Sequence, residues 1–254
     1  VIAAGPGTTT IYAGYNGKTV TCVVHCDFTE EATEEPTEET QPVEVPVFSP
    51  ADANLVSVQS FCGIQPDVQT LLCRELQWDL TQPQPTVLIL HSHATESYES
   101  QGQYAESAPY RTLDTQFNMV SIGREVKNIL EAAGIGVIHA ETLHDYPSYN
   151  DAYGNARQTV ADILDKNPSI CLVLDLHRDA TESGQPQLRT QARVNGNPSA
   201  QLMLVMGTDT PGRPYPNWQE NLANALKLQS VLQGQYPGLC RKIDLRTERF
   251  NQHA

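Results

Sequence analysis

From residue 87 onward, hydrophobic and polar positions alternate between two periods. VLIL at 87–90 is short and wholly apolar, the mark of a strand buried on both faces. Phe117, Val120, Ile122, Val126, Ile129 and Leu130 then recur at roughly helical spacing, which predicts a helix capped by Asp114 or Thr115 and closed by Gly134. IGVIHA (135–140) predicts a strand, 150–168 a helix with Pro168 just past its end, and CLVLDL (171–176) a further strand. QLMLVMG (201–207) reads as a strand, 217–238 as a helix and 243–247 as an edge strand. Asn217 with Glu220 three residues on predicts a capping box for that last helix. The succession implies an α/β fold: a mixed, mostly parallel sheet with helices on both faces.

The first third of the chain is patterned differently. Asn16-Gly17 between two β-prone runs predicts a hairpin within 1–26. The acidic, Thr-rich tract at 27–40 has no large apolar side chain beyond Phe28, and alternating prolines extend it, so 27–50 reads as a linker. Val68, Leu71, Leu72 and Leu76 predict a short helix, and TQPQPT at 81–86 a loop. The main domain is expected at 51–254.

Charge and cysteines narrow the function classes. The formal net charge is −14, from 16 basic and 30 acidic residues, which argues against nucleic acid as the partner. A polymer recognised by shape and hydrogen bonds, such as a glycan or peptide, stays open. No apolar run of 18 residues occurs, so any membrane contact is expected only through a segment outside this chain. Six cysteines form no recognisable zinc knuckle or disulfide framework, and they read as mainly buried, reduced thiols. Cys171, opening an apolar run, is expected in the core.

The candidate chemistry lies where two strands end. VLIL runs directly into His91, Ser92, His93 and Glu96, and CLVLDL runs into His177, Arg178 and Asp179. In open α/β sheets the ligand site lies beyond the carboxyl ends of the strands. Catalytic zinc takes three protein ligands of imidazole and carboxylate type and keeps one position open. His93 and His177 are the expected ligands, with Glu96 as the carboxylate and Asp114, His91 and His144 as alternatives. Asp175 and Asp179 are expected to support the ligands from behind. Arg111 and Arg157 could hold a substrate carboxylate, and the Tyr-rich segment 143–157 could cradle a sugar or peptide. Ser92 has no recognisable oxyanion arrangement, and the G-x-S-x-G, phosphate-loop and H-E-x-x-H signatures are absent.

These residues carry a resemblance. VLILHSHATESY (87–98), RTLDTQFNMVSIG (111–123), TLHDYPSYNDAYGNAR (142–157), LVLDLHRDA (172–180), PNWQENLANA (216–225) and PGLCRKIDLRTERFNQH (237–253) resemble the stage II sporulation protein P family. The resemblance covers roughly 87–253 and implies a zinc-dependent N-acetylmuramoyl-L-alanine amidase of amidase-like α/β fold. Endopeptidase activity on peptidoglycan cross-links is implied as well. His93, Glu96 and His177 would match the related amidases' His, Glu, His zinc set, with Glu96 the least certain match and Asp114 its competitor. Within the family motifs His91, Arg111, Asn118, His144, Tyr149, Arg157 and Arg178 are expected to contact substrate. A lytic transglycosylase and other engulfment proteins are the implied partners. The implied location is extracytoplasmic, in or facing the wall of an endospore-forming bacterium.

The family's general-base glutamate sits on a final apolar strand, expected here beyond Ala254. The domain is therefore expected to be C-terminally incomplete. Two other classes follow: a non-catalytic peptidoglycan-binding module without its base, and a zinc peptidase acting on the cross-links.

Overall fold

A computed structural model describes residues 7–15, 18–26, 46–179 and 190–248. The chain divides into two compact units, Val1–Pro46 and Val47–Ala254. In the first, β1 (Gly7–Tyr15) and β2 (Lys18–Cys26) pair antiparallel, with Tyr15 opposite Lys18, so the hairpin expected from Asn16-Gly17 forms. The turn itself and the acidic tract at 27–40 lie outside the described residues.

The second unit holds two three-stranded parallel sheets where the pattern predicted one, together with helices, which makes it α/β. After β3 (Val58–Ser60) and α1 (Val68–Leu72) comes β4 (Val87–Leu90). It lies between β5 (Val137–His139) and β6 (Leu172–Asp175), parallel to both. Its residues are at most 2% exposed, because each face meets a helix. Val87 and Ile89 pack toward Val126 and Leu130 of α2 (Met119–Ala132), while Leu88 and Leu90 pack with Ala156 and Val160 of α3 (Ala152–Lys166). Burying an aliphatic side chain of this size contributes about 1.5–3 kcal/mol. The chain leaves β4 for β5 on one side and then crosses to β6 on the other. This reversal makes the carboxyl ends of β4 and β6 a topological switch point, the usual ligand position of such sheets.

In the other sheet β10 (Ile243–Arg246) runs between β3 and β9 (Val205–Gly207). The expected edge strand is thus central. Its Asp244 is buried but ion-paired with Arg246, so a polar residue in the run did not mark a solvent face. Ile243 and Leu245 pack with α1 and with α4 (Trp218–Gln235). From α4 the buried Lys227 donates to Leu72 O at 2.6 Å and to Leu71 O at 3.4 Å, satisfying the carboxyl end of the short α1.

Other local expectations shift. The second helix begins at Met119, five residues after Asp114, because Asn118 is its cap and accepts from Val120 N at 3.0 Å. Asp114 instead closes an exposed turn by accepting from Gln116 N at 3.0 Å. Asn217 precedes α4 but makes no side-chain capping bond, so the expected capping box is absent. Asp209 ties that entry together by accepting from Tyr215 N and from Trp218 Nε1. An unpredicted hairpin joins β7 (Gln191–Val194) to β8 (Asn197–Ala200). Cys171 is exposed rather than in the core, since it precedes β6 at the sheet's rim.

Candidate metal centre

His93, Glu96 and His177 are brought together beyond the carboxyl ends of β4 and β6. Immediately after β4 the chain turns, with Glu96 N donating to His93 O at 3.2 Å, so His93 and Glu96 arise from one tight loop. His177 follows β6, next to β4 in the sheet. The two imidazole centroids are 5.4 Å apart, and Glu96 Oε2 lies 3.7 Å from His177 Nδ1. Glu96 is buried and accepts from the Arg178 backbone N–H at 3.1 Å.

Asp175, the last residue of β6, pairs with His177 and with Ser92. Its Oδ1 is 3.0 Å from His177 Nε2 and accepts from Ser92 N at 2.8 Å, while Oδ2 accepts from Ser92 Oγ. Burial lowers the His177 pKa, but hydrogen bonds and charge from Asp175 and Glu96 outweigh it and hold the value up at about 10. Burial opposes ionisation of Asp175, yet His177 and Ser92 keep its carboxyl below the ordinary range. The Ser92 hydroxyl donates to this carboxylate, so no Ser–His pair exists here for nucleophilic catalysis.

His93 sits in an aromatic slot. Tyr149 stacks on its ring at 4.4 Å and Tyr153 of α3 meets it edge-on at 5.1 Å. Burial is the leading cause that pulls its pKa below the ordinary value. Its Nδ1 is buried with no hydrogen-bond partner. Burial, with the carboxylate of Asp175 next, pushes the Tyr153 phenol up to about 12, so it stays protonated.

Among the described residues, no three His, Cys, Asp or Glu side chains stand around a common point at metal-binding distance. The donors close on one another instead: His177 uses Nε2 on Asp175 and turns Nδ1 toward Glu96. The donor set still fits zinc in kind, with two imidazoles and one carboxylate gathered together.

Several other candidates have structural work. His91 Nδ1 donates to Leu176 O at 3.0 Å, and its Nε2 accepts from His139 Nε2 at 2.8 Å, so both nitrogens are spent on the α2 side of the sheet. Burial pushes its pKa down to about 4. His144 is likewise committed, through Nδ1 to His91 O at 2.8 Å and Nε2 to Thr159 Oγ1 at 2.9 Å. Asn118 is a helix cap and also donates to Thr112 O at 3.1 Å. Asp114 is exposed on its own turn.

The arginines divide. Arg178 straps loops together, donating to Ser97 O at 3.1 Å and Tyr110 O at 3.2 Å. Arg111 lies 4.0 Å over the Tyr149 ring and pairs with Asp145 Oδ2 at 3.4 Å and Glu96 Oε1 at 4.0 Å. Arg157 is an exposed residue one turn beyond Tyr153 on α3. Asp179 pairs with Arg241. The glutamate expected past Ala254 lies outside the described residues.

Asp145 is the site residue to which the sequence reading assigns no role: it directly follows the candidate His144, and only the fold brings its carboxylate to the loop that carries His93 and Glu96.

The family model described as stage II sporulation protein P matches residues 24–254. Stage II sporulation protein P of Bacillus subtilis (strain 168) is 27% identical over 165 residues, which covers 63% of this chain. The matched stretch spans 39% of that relative's length. No solved structure matches the chain.

Proposed function

The chain belongs to the stage II sporulation protein P family, and we propose on that footing that it is a zinc-dependent peptidoglycan amidase acting in sporulation. The bond cut joins the lactyl group of N-acetylmuramic acid to the L-alanine of the stem peptide, and cross-link peptide bonds are a second target. The supporting observation is the gathering of His93, Glu96 and His177 at the carboxyl ends of two neighbouring parallel strands. This reading places the protein outside the cytoplasm of an endospore-forming bacterium, beside a lytic transglycosylase and other engulfment proteins.

His93, Glu96 and His177 would hold the metal. When bound, zinc supplies Lewis acidity that activates water and polarises a scissile carbonyl. Asp175 fixes the His177 ring through Nε2 and leaves Nδ1 for the site. Arg111 balances the charge of Glu96 and Asp145. Tyr149 and Tyr153 wall His93 and keep water from its ring faces.

A second reading, a binding module without hydrolysis, has one observation in its favour. Glu96, Asp145 and Asp175 each already accept hydrogen bonds from protein donors, which favours a structural over a general-base role for them. Purified peptidoglycan incubated with zinc-loaded protein separates the readings. The amidase releases new N-terminal alanine with intact glycan, and chelator stops the release. New amino groups inside the stem mark the endopeptidase, and sedimentation with the wall without products marks the module. Absence of zinc uptake, with digestion indifferent to chelator, would overturn the zinc reading.

A further inference from the structure

We propose that Asp145 is a positioning residue for His93, the counterpart of Asp175 on His177. The inference rests on the zinc reading above and deepens it.

The Asp145 side chain is wholly buried, at 0% exposure. A buried carboxylate is stable only where donors surround it. It has three: Thr95 N at 3.1 Å, Thr95 Oγ1 at 2.6 Å and Arg111 Nη1 at 3.4 Å. Thr95 lies in the loop between His93 and Glu96, so the carboxylate is fastened to the very turn that carries both proposed ligands. Its Oδ2 stands 3.9 Å from His93 Nδ1, the buried nitrogen that has no partner. A donor without an acceptor and a carboxylate facing it, both buried, form an unfinished pair. In-plane rotation of the imidazole between Tyr149 and Tyr153 is the short movement that completes it.

The completed bond decides the tautomer. With Nδ1–H donating to Asp145, the lone pair of His93 is on Nε2 and available to a metal. His177 is held the opposite way, with Nε2 on Asp175 and Nδ1 available. The same geometry accounts for Arg111. Its guanidinium neutralises Asp145 and covers Tyr149, which presses on His93, so it acts through other residues and not as a clamp for substrate.

Two measurements test this on the 254-residue chain. In long-range proton–nitrogen NMR of the zinc-loaded protein, His93 should show a protonated Nδ1 and a metal-bound Nε2; a metal-bound Nδ1 overturns the proposal. In competition dialysis, Asp145→Asn should weaken zinc binding by about 10- to 100-fold. Its carboxamide N–H would favour the wrong His93 tautomer. Unchanged affinity in Asp145→Asn overturns the proposal, even if the metal-free variant melts earlier. Should that variant fail to fold, Thr95→Val removes one anchor of the carboxylate and should weaken zinc binding in the same direction; no change there counts equally against it. A wild-type chain that takes up no zinc defeats the zinc reading and this inference together. Zinc uptake indifferent to Asp145 defeats this inference alone.

Discussion

Gly123 has no room for a side chain. A Cβ there would lie 2.4 Å from His139 Nε2 and 2.5 Å from His91 Nε2, the two atoms that share a hydrogen bond. Gly123→Ala would force the rings apart from α2 and is expected to cost about 1–3 kcal/mol, the range for overpacking. A lowered thermal midpoint would register this; an unchanged midpoint would show that the rings yield freely. His139 itself links stability to acid. Burial holds its imidazole below the ordinary pKa, with Arg124 and Lys127 acting in the same direction and Glu141 opposing, while His91 occupies its Nε2. The folded protein therefore takes up this proton later than the unfolded chain. The contribution is complete above the ordinary histidine value of about 6.5 and is lost as pH falls through the lower folded value. Urea midpoints of zinc-free protein should drop more steeply below about pH 6.5 in wild type than in His139→Gln. Parallel curves would remove His139 from the account.

At the scale of elements, the two asparagines that precede helices are not equivalent. Asn118 caps α2 and is buried, whereas Asn217 makes no capping bond to α4. Asn118→Ala should cost about 0.5–2 kcal/mol, and Asn217→Ala should be close to neutral, as read from paired denaturation curves. Equal losses would refute the assignment. Sequence pattern alone could not separate them, since Asp114, Asn118 and Asn217 are all good caps and the choice depends on which turn each side chain closes. Periodicity did locate α1, α3, α4 and β4 to β6, because their apolar faces meet real partners. It found β10 but put it at the sheet's edge, because Arg246 neutralises a buried Asp244 and the run IDLR looks half solvated. It also passed over the β7–β8 hairpin, whose strands are polar and include Pro198, although Asn195 and Gly196 at φ 51° and 82° carry the same turn signal as Asn16-Gly17. At the site, strand ends pointed to His93, Glu96, Asp175 and His177. Spacing could not say that His91 and His144 turn away, because the direction of a ring is settled by partners far along the chain.

For the whole molecule, the zinc reading carries a stability consequence. A ligand bound only by the folded chain stabilises by mass action, about 2.7 kcal/mol at a hundredfold excess over its Kd. Zinc should raise the thermal midpoint of the wild type and not of a His93→Ala, His177→Ala double variant, as followed by calorimetry. Equal shifts in both would place the metal elsewhere. One further consequence follows from β4 lying apolar against helices on both faces. A strand that is polar on one side resists sliding by a residue, because the slip would drive polar groups inward. VLIL has no such resistance: moved by one position, it would still bury four aliphatic side chains. What such a slip would break is at the strand's exit, where His91 joins His139 and Ser92 joins Asp175. The polar residues beside the site are therefore also the pins that choose the strand's register. Ser92→Ala would put at risk the single alignment of the sheet as well as the orientation of Asp175.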